Sequence, residues 1–430
     1  MRDIVLLIVF TFFIFKVFRH PHYGVLIWSW ISYMAPHRLT YGFAYSFPFA
    51  AVTAGITLIS LVFSKEKIKI PVTAITVVWI LFVLWTSITT LVAMVPEHAV
   101  FEWERSIKIQ FMVGVTLLLI NNKEKLNQLV WIIVLSIGFY GIKGGIFTLL
   151  TGGSWMVWGP QGTFIEGNNE LALAMIMILP LLRYLQLQTE NKWIKRGLII
   201  AMGLCALSIL ASYSRGAFIA ASAITLYLWL KSRKRVVLGI AMVVVILASL
   251  LFLPKGWFDR MGTIKTYEED ASAMGRINAW WFAYNIANER PIIGGGFHVF
   301  NRELFLAYAP EPEKFHDAHS IYFEVLGEHG YVGLMLFLLL YYLVLKNAKW
   351  IIKNTKDNIN LLWARDLASM VQVGLIGYAV GGAFLGLAYF DLPYHFMAII
   401  VILRIIVQKE NNNSEDYNKE NQNSNRPHVI

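Results

Sequence analysis

Charge is scarce in this chain. Asp, Glu, Lys and Arg make up 15% of its 430 residues, well below the roughly 25% of a typical soluble domain, and that excludes an ordinary water-soluble enzyme. Cysteine is almost absent: Cys205, inside an apolar run, is the single thiol. A disulfide framework and a thiolate metal site are thereby excluded. No His-Glu-x-x-His sequence occurs and no glycine-rich loop carries a Walker lysine. The segment after Met1-Arg2-Asp3 has no small-residue cleavage site, so a removable signal peptide is not expected.

What the chain has is apolar surface. Residues of the AVILMFWYC set form 57% of it, gathered in about a dozen blocks, at roughly 20 residues per crossing. Runs such as Val236 to Leu253 are apolar on every face, whereas a β-barrel would alternate. The expectation is an all-α polytopic integral membrane protein with about 12–13 transmembrane helices, near 4–18, 22–35, 47–63, 73–93, 107–120, 127–150, 170–187, 197–212, 215–230, 236–253, 331–346, 369–390 and 394–408. The first two are short and are candidates for a hairpin that does not cross fully.

The net charge of +10 would suggest nucleic acid in a soluble protein. Here the cations sit in alternate loops: Lys65, Lys67 and Lys69; Lys123 and Lys125; Lys192, Lys195 and Arg196; Lys231, Arg233, Lys234 and Arg235; Lys346, Lys349, Lys353, Lys356 and Arg365. The positive-inside bias makes those loops cytoplasmic, leaves the loop 254–330 outside, and gives no nucleic-acid partner. The tail 409–430 is rich in Asn, Glu, Lys and Ser and is expected to be disordered.

Three features place charge where it is costly. Arg215 lies in the short turn Ser212-Tyr213-Ser214-Arg215-Gly216, where it either snorkels to lipid headgroups or binds a phosphate. Arg276, in Gly275-Arg276-Ile277-Asn278-Ala279-Trp280-Trp281, opens an amphipathic helix and is either a surface cation or a diphosphate clamp. Glu289-Arg290-Pro291-Ile292-Ile293-Gly294-Gly295-Gly296 ends that helix in a flexible turn that resembles a phosphate cradle only weakly. The third feature is the run from His316 to Gly330. His316 and His319 would share a helix face, as metal ligands, as a source of a general base, or as polar loop residues. Lys143, Glu170 and Asp391 are smaller signals, ionisable groups near the outer ends of apolar spans.

The order of these motifs, a turn arginine, a large outer loop with Arg276 and Pro-x-x-Gly-x-Gly, then His-Ser-x-Tyr before Gly-Glu-His-Gly, resembles the O-antigen ligase superfamily over roughly 168–390. Met1-Arg2-Asp3-Ile4, Met34-Ala35-Pro36-His37-Arg38-Leu39, Tyr140-Gly141-Ile142-Lys143-Gly144-Gly145 and Asn168-Asn169-Glu170-Leu171-Ala172-Leu173 look like a narrower subgroup, the O-glycosylation ligases associated with exosortase A systems.

The resemblance implies a GT-C-like glycan ligase in the bacterial inner membrane. It would have an N-terminal region at 1–166, a core at 167–408 and one periplasmic loop at 254–330. It further implies inverting transfer from an undecaprenyl-diphosphate-linked glycan to a protein or lipid acceptor hydroxyl, without a cofactor or metal. Arg215 and Arg276 would hold the diphosphate and His319 would be the base. Lys143, Glu170, His316 and Asp391 are possible supporting residues. Ser320 stands where ligases often have Asn, which leaves any amide contact there open. An O-antigen polymerase, and a lipid-linked glycan flippase, are the competing readings; the absence of an evident internal repeat speaks against the second.

Overall fold

The computed structural model describes residues 1–64, 70–231, 239, 254–262 and 270–424, with side chains described to Leu230 in the second segment and to Asn412 in the last. Among them every regular element is helical. In order these are α1 (Arg2–Arg19), α2 (His22–Met34), α3 (Phe49–Phe63), α4 (Ala74–Leu91), α5 (Pro96–Leu119), α6 (Lys123–Leu150), α7 (Asn168–Gln188), α8 (Lys192–Leu210), α9 (Arg215–Lys231), α10 (Lys255–Gly262), α11 (Ala271–Glu289), α12 (Arg302–Tyr308), α13 (Ile321–Asn354), α14 (Leu362–Gly381) and α15 (Asp391–Ser424). The molecule is a polytopic helical membrane protein.

Each expected span within the described residues falls on a helix, the one at 369–390 as far as Phe384; the span at 236–253, apart from Gly239, and the cations Lys65, Lys67, Lys69, Arg233, Lys234 and Arg235 lie outside them. Among the described residues seven helical segments are long and apolar enough to cross a bilayer: α4, α6, α7, α8, α13, Ile359–Phe384 around α14, and the Asp391–Asn412 part of α15. The others fall short for physical reasons. With 13 residues, α2 rises only about 20 Å at 1.5 Å per residue, against a hydrocarbon core of about 30 Å. The first half of α5 carries Glu97, Glu102, Glu104 and Arg105, and Lys108 follows at once.

The last helix, α15, runs on to Ser424, into the polar stretch that begins at 409. Extending a helix already nucleated in the bundle avoids the cost of starting one.

At the centre stands α7, buried on nearly all sides from Leu171 to Leu182, with α6, α8, α9 and α14 packed around it. Glycines set the closest approach. A Cβ on Gly145 would lie 2.3 Å from the Leu204 carbonyl oxygen, and one on Gly144 2.3 Å from the Ser208 hydroxyl, so α6 and α8 meet nearly backbone to backbone. By contrast α4 is apolar on both faces, burying Trp79 and Phe82 while Ile80, Leu81 and Leu84 stay exposed. That is the pattern of a helix wetted by lipid.

The loops expected outside converge on one end of the bundle. Met94 N–H donates to Gly295 (2.8 Å), Val157 N–H to Ala211 (3.1 Å), Arg290 Nη2 to Val92 (2.7 Å) and Ser32 Oγ to Asp391 (2.5 Å). Cation-bearing connections meet at the other end, where Lys123 Nζ sits 5.2 Å from the Trp363 ring and Gln188 Nε2 donates to Asp366 at 3.4 Å.

Candidate active site

The turn between α8 and α9 and the start of α11 meet through one ion pair. Arg215 Nη1 lies 2.5 Å from Asp270 Oδ2, and Nη2 lies 3.1 Å from Oδ1. Asp270 also caps α11 by accepting from Ala273 N–H at 2.9 Å. Anchoring the guanidinium there holds the Asp270 carboxyl down at about 2. One and a half turns along α11, half-buried Arg276 lies within electrostatic reach of Arg215, Asp270 and Glu170. Burial, and after it the like charge of Arg215, pull its guanidinium below its ordinary value. The buried Arg276 Nε has no hydrogen-bond partner among the described residues.

Arg276 and its neighbours build outward to the histidines. A Cβ on Gly275 would stand 2.7 Å from His316 Cδ2, so the glycine lets the imidazole lie against α11. The His316 ring meets that of His319 edge-on at 4.9 Å. The two do not share a helix face as expected: both precede α13, which starts after Ser320, and His319 adopts a left-handed φ of 39°. A non-glycine residue held there is strained, a state that persists only when surroundings enforce it. Trp280 supplies part of that enforcement, its Nε1 donating to the Ala318 carbonyl at 2.8 Å while its ring stacks on Phe323 at 5.0 Å.

Burial first, then the charges of Arg276 and His316, depress His319 to about 4. The ring is therefore neutral at physiological pH and able to accept a proton, well below the 6.5 of an unperturbed imidazole.

His319 also forms part of the wall of a cavity of ≈ 330 Å³ whose other polar lining includes Glu102, Glu170, His298, Asp317, Glu324 and Glu328. Glu328 accepts from Tyr389 Oη at 2.5 Å and from His298 N–H at 3.2 Å, and Glu324 accepts from Ala388 N–H at 3.1 Å. Neither arginine lines this cavity. His319 thus stands between a cationic cluster and a carboxylate-lined hollow. Beside it, Ile277, Trp280, Trp281, Tyr284 and Phe323 line an apolar cleft.

The triple glycine has a structural part. Gly330, at φ 67° and ψ −170°, breaks α13, and Tyr331 N–H donates to Pro291 instead of to its own helix. The carbonyls of Gly327 and Glu328, left over by the break, accept from Gly295 (2.8 Å) and Gly296 (2.7 Å). The glycine run docks the loop on the kink that carries Glu328.

Of the residues singled out in the sequence, Arg215, Arg276, His316, His319 and Glu170 come together here. Lys143 lines a different cavity, with Arg2 and Trp30. Asp391, buried at the head of α15, takes the Ser32 hydroxyl, while one turn on His395 Nδ1 pairs with Tyr33 Oη at 2.7 Å; both tie α2 into the bundle. His329 is fully buried, paired with Thr89 Oγ1 at 2.7 Å. Sequence reasoning passed over Asp270, Glu324 and Glu328. The signals were an acid just before a helix start and two carboxylates four residues apart in an apolar helix.

The stretch from α8 to the middle of α13 contains both arginines and His319. Residues 200–338 match the family model of the O-antigen ligases. Residues 1–190 match a family described as being of unknown function. No curated protein matches the chain. The ligase match supports the O-antigen ligase superfamily, and through it glycan ligation in general by a membrane enzyme, with a lipid-linked glycan and an acceptor as the kinds of partner.

Proposed function

We propose that this chain transfers a glycan from undecaprenyl diphosphate to an acceptor hydroxyl at the periplasmic face of the bacterial inner membrane, inverting the anomeric centre without a metal ion. The observation that carries this reading is the grouping of Arg215, Arg276 and His319 around one spot at the loop end of the bundle. Guanidinium forks suit the paired oxygens of a diphosphate, and fixed cations in a site short of water stabilise the charge that grows on a leaving diphosphate.

In this reading the acceptor oxygen attacks the anomeric carbon as the bond from that carbon to the phosphate oxygen breaks. The hydroxyl proton passes to the imidazole of His319, and the lipid diphosphate leaves on the arginines. General-base help of this kind contributes about 10²–10⁴-fold. Segregation of polar groups supports the assignment of sides: the cations face the donor, whereas the acidic side chains of the cavity can hydrogen-bond to hydroxyls. The N-terminal motifs favour a protein Ser or Thr as acceptor, as in O-glycosylation ligases of exosortase A systems.

The test is an assay of the purified chain with a lipid-diphosphate glycan and, separately, a protein and a lipid acceptor. Glycan should appear on the protein acceptor with release of the lipid diphosphate. Chain growth on a second lipid-linked glycan would identify a polymerase. Movement of the intact glycolipid across vesicles without transfer would identify a flippase.

A further inference from the structure

On the opposite flank from α8, Lys143 of α6 and Arg2 of α1 line a groove of ≈ 590 Å³, walled by Val9, Trp30, Leu39 and Phe139. Lys143 is exposed, and among the described residues its ammonium has no hydrogen-bond or ion-pair partner. Gly144 and Gly145 are taken up by the contact with α8. At about 100° per residue, that contact turns Lys143 toward the α1–α2 side. It lies seven residues before the end of α6 at Leu150, about 10 Å along the helix at 1.5 Å per residue. An unpaired cation that deep in a spanning helix is costly.

We propose that this groove binds an anionic glycerophospholipid of the surrounding bilayer, its phosphate on Lys143 and an acyl chain along the apolar wall. Charge complementarity selects the occupant. Arg2 is partly engaged, with Nη1 donating to the Leu39 carbonyl at 3.2 Å and its guanidinium 5.2 Å from the Tyr41 ring. The unengaged side-chain cation of the groove is therefore the compact ammonium of Lys143, which suits a single phosphodiester charge, whereas a diphosphate is better matched by guanidinium forks. The groove shares no lining residue with the His319 cavity, so the inference stands apart from the proposed transferase activity. Its ligand is a resident lipid that fills the seam between the N-terminal hairpin and α6.

Native mass spectrometry of the full-length chain in detergent tests this, with dioleoylphosphatidylglycerol, dioleoylphosphatidylcholine and undecaprenyl phosphate as probes. Wild-type protein should retain phosphatidylglycerol over phosphatidylcholine by about fivefold, the effect of about one lysine charge on an anionic headgroup. Lys143→Gln should lose that preference and Lys143→Arg should keep it. The same preference in Lys143→Gln as in wild type would overturn the proposal. So would displacement of phosphatidylglycerol by equimolar undecaprenyl phosphate, because the groove would then belong to the carrier lipid.

Discussion

Asp270 holds Arg215 end-on, each carboxylate oxygen facing one terminal guanidinium nitrogen at 2.5 and 3.1 Å, while the same carboxylate caps α11. One acid thus couples the α8–α9 turn to the helix that carries Arg276. It also competes with any diphosphate for the Arg215 fork. Asp270→Asn keeps a capping oxygen and removes the charge, so the donor KM should fall several-fold as the cluster becomes more cationic. The kcat should drop as well, because the guanidinium loses its positioning partner. Initial rates against donor concentration give both numbers, and a rise in KM would mean that Asp270 helps to bind the donor.

Arg215→Lys and Arg276→Lys keep the charge and lose the fork. Each should reduce transfer by about one to two orders of magnitude, the scale of one or two charge-assisted hydrogen bonds at about 1.5–3 kcal/mol each. Near wild-type transfer by both variants would reduce these arginines to packing roles.

Much of the architecture was readable from apolar run length, because a bilayer imposes one requirement on every crossing. Run length says nothing of where a helix answers to its neighbours. The short helix α2 lies in the bundle because Tyr33 and Ser32 reach His395 and Asp391, contacts more than 350 residues away in sequence. At the site, Arg215, Arg276 and His319 were legible because cations and an imidazole stand out beside membrane spans. The docking of Gly295 and Gly296 on the α13 kink was not, since a glycine run looks the same whether it holds a phosphate or a helix carbonyl. His319 itself is placed by a backbone twist that no residue pattern announces.

Gly330→Ala tests the kink. A Cβ there would meet the Ile292 and Pro291 carbonyl oxygens at 2.6 and 2.7 Å, both backbone atoms that cannot step aside. At φ 67° and ψ −170° the backbone is in a region essentially restricted to glycine, which costs a residue with a side chain about 1–3 kcal/mol. The variant should lower the Tm in detergent and reduce transfer together, while Gly203→Ala, open on the α8 surface, should change neither.

Cation placement predicts which side the site faces. With Cys205→Ala as background, a cysteine at Glu313, exposed before the histidines, should react with a membrane-impermeant maleimide from the periplasm. One at Lys356, in the α13–α14 connection, should react only after the inner membrane is opened. The reverse pattern would sink both the topology and the assignment of donor side.

The imidazole gives the sharpest test. His319 works as a base only when neutral, so activity should be present above its pKa and lost as pH falls through it. In the free protein that limb, read from kcat/KM, lies near 4, below the 6.5 of an exposed histidine. Part of the depression comes from Arg276 and His316, and a bound diphosphate would offset those positive charges. The limb in kcat, which reports the donor complex, should therefore lie at higher pH than the limb in kcat/KM. His319→Ala should cost orders of magnitude in kcat with little change in donor affinity, and the pH limb should vanish with it. His316→Ala, which removes the ring packed at 4.9 Å but not the base, should be milder. Equal losses at the two positions, or a pH profile unchanged without His319, would transfer the role of base to another residue of the cavity, with Glu324 the first to try.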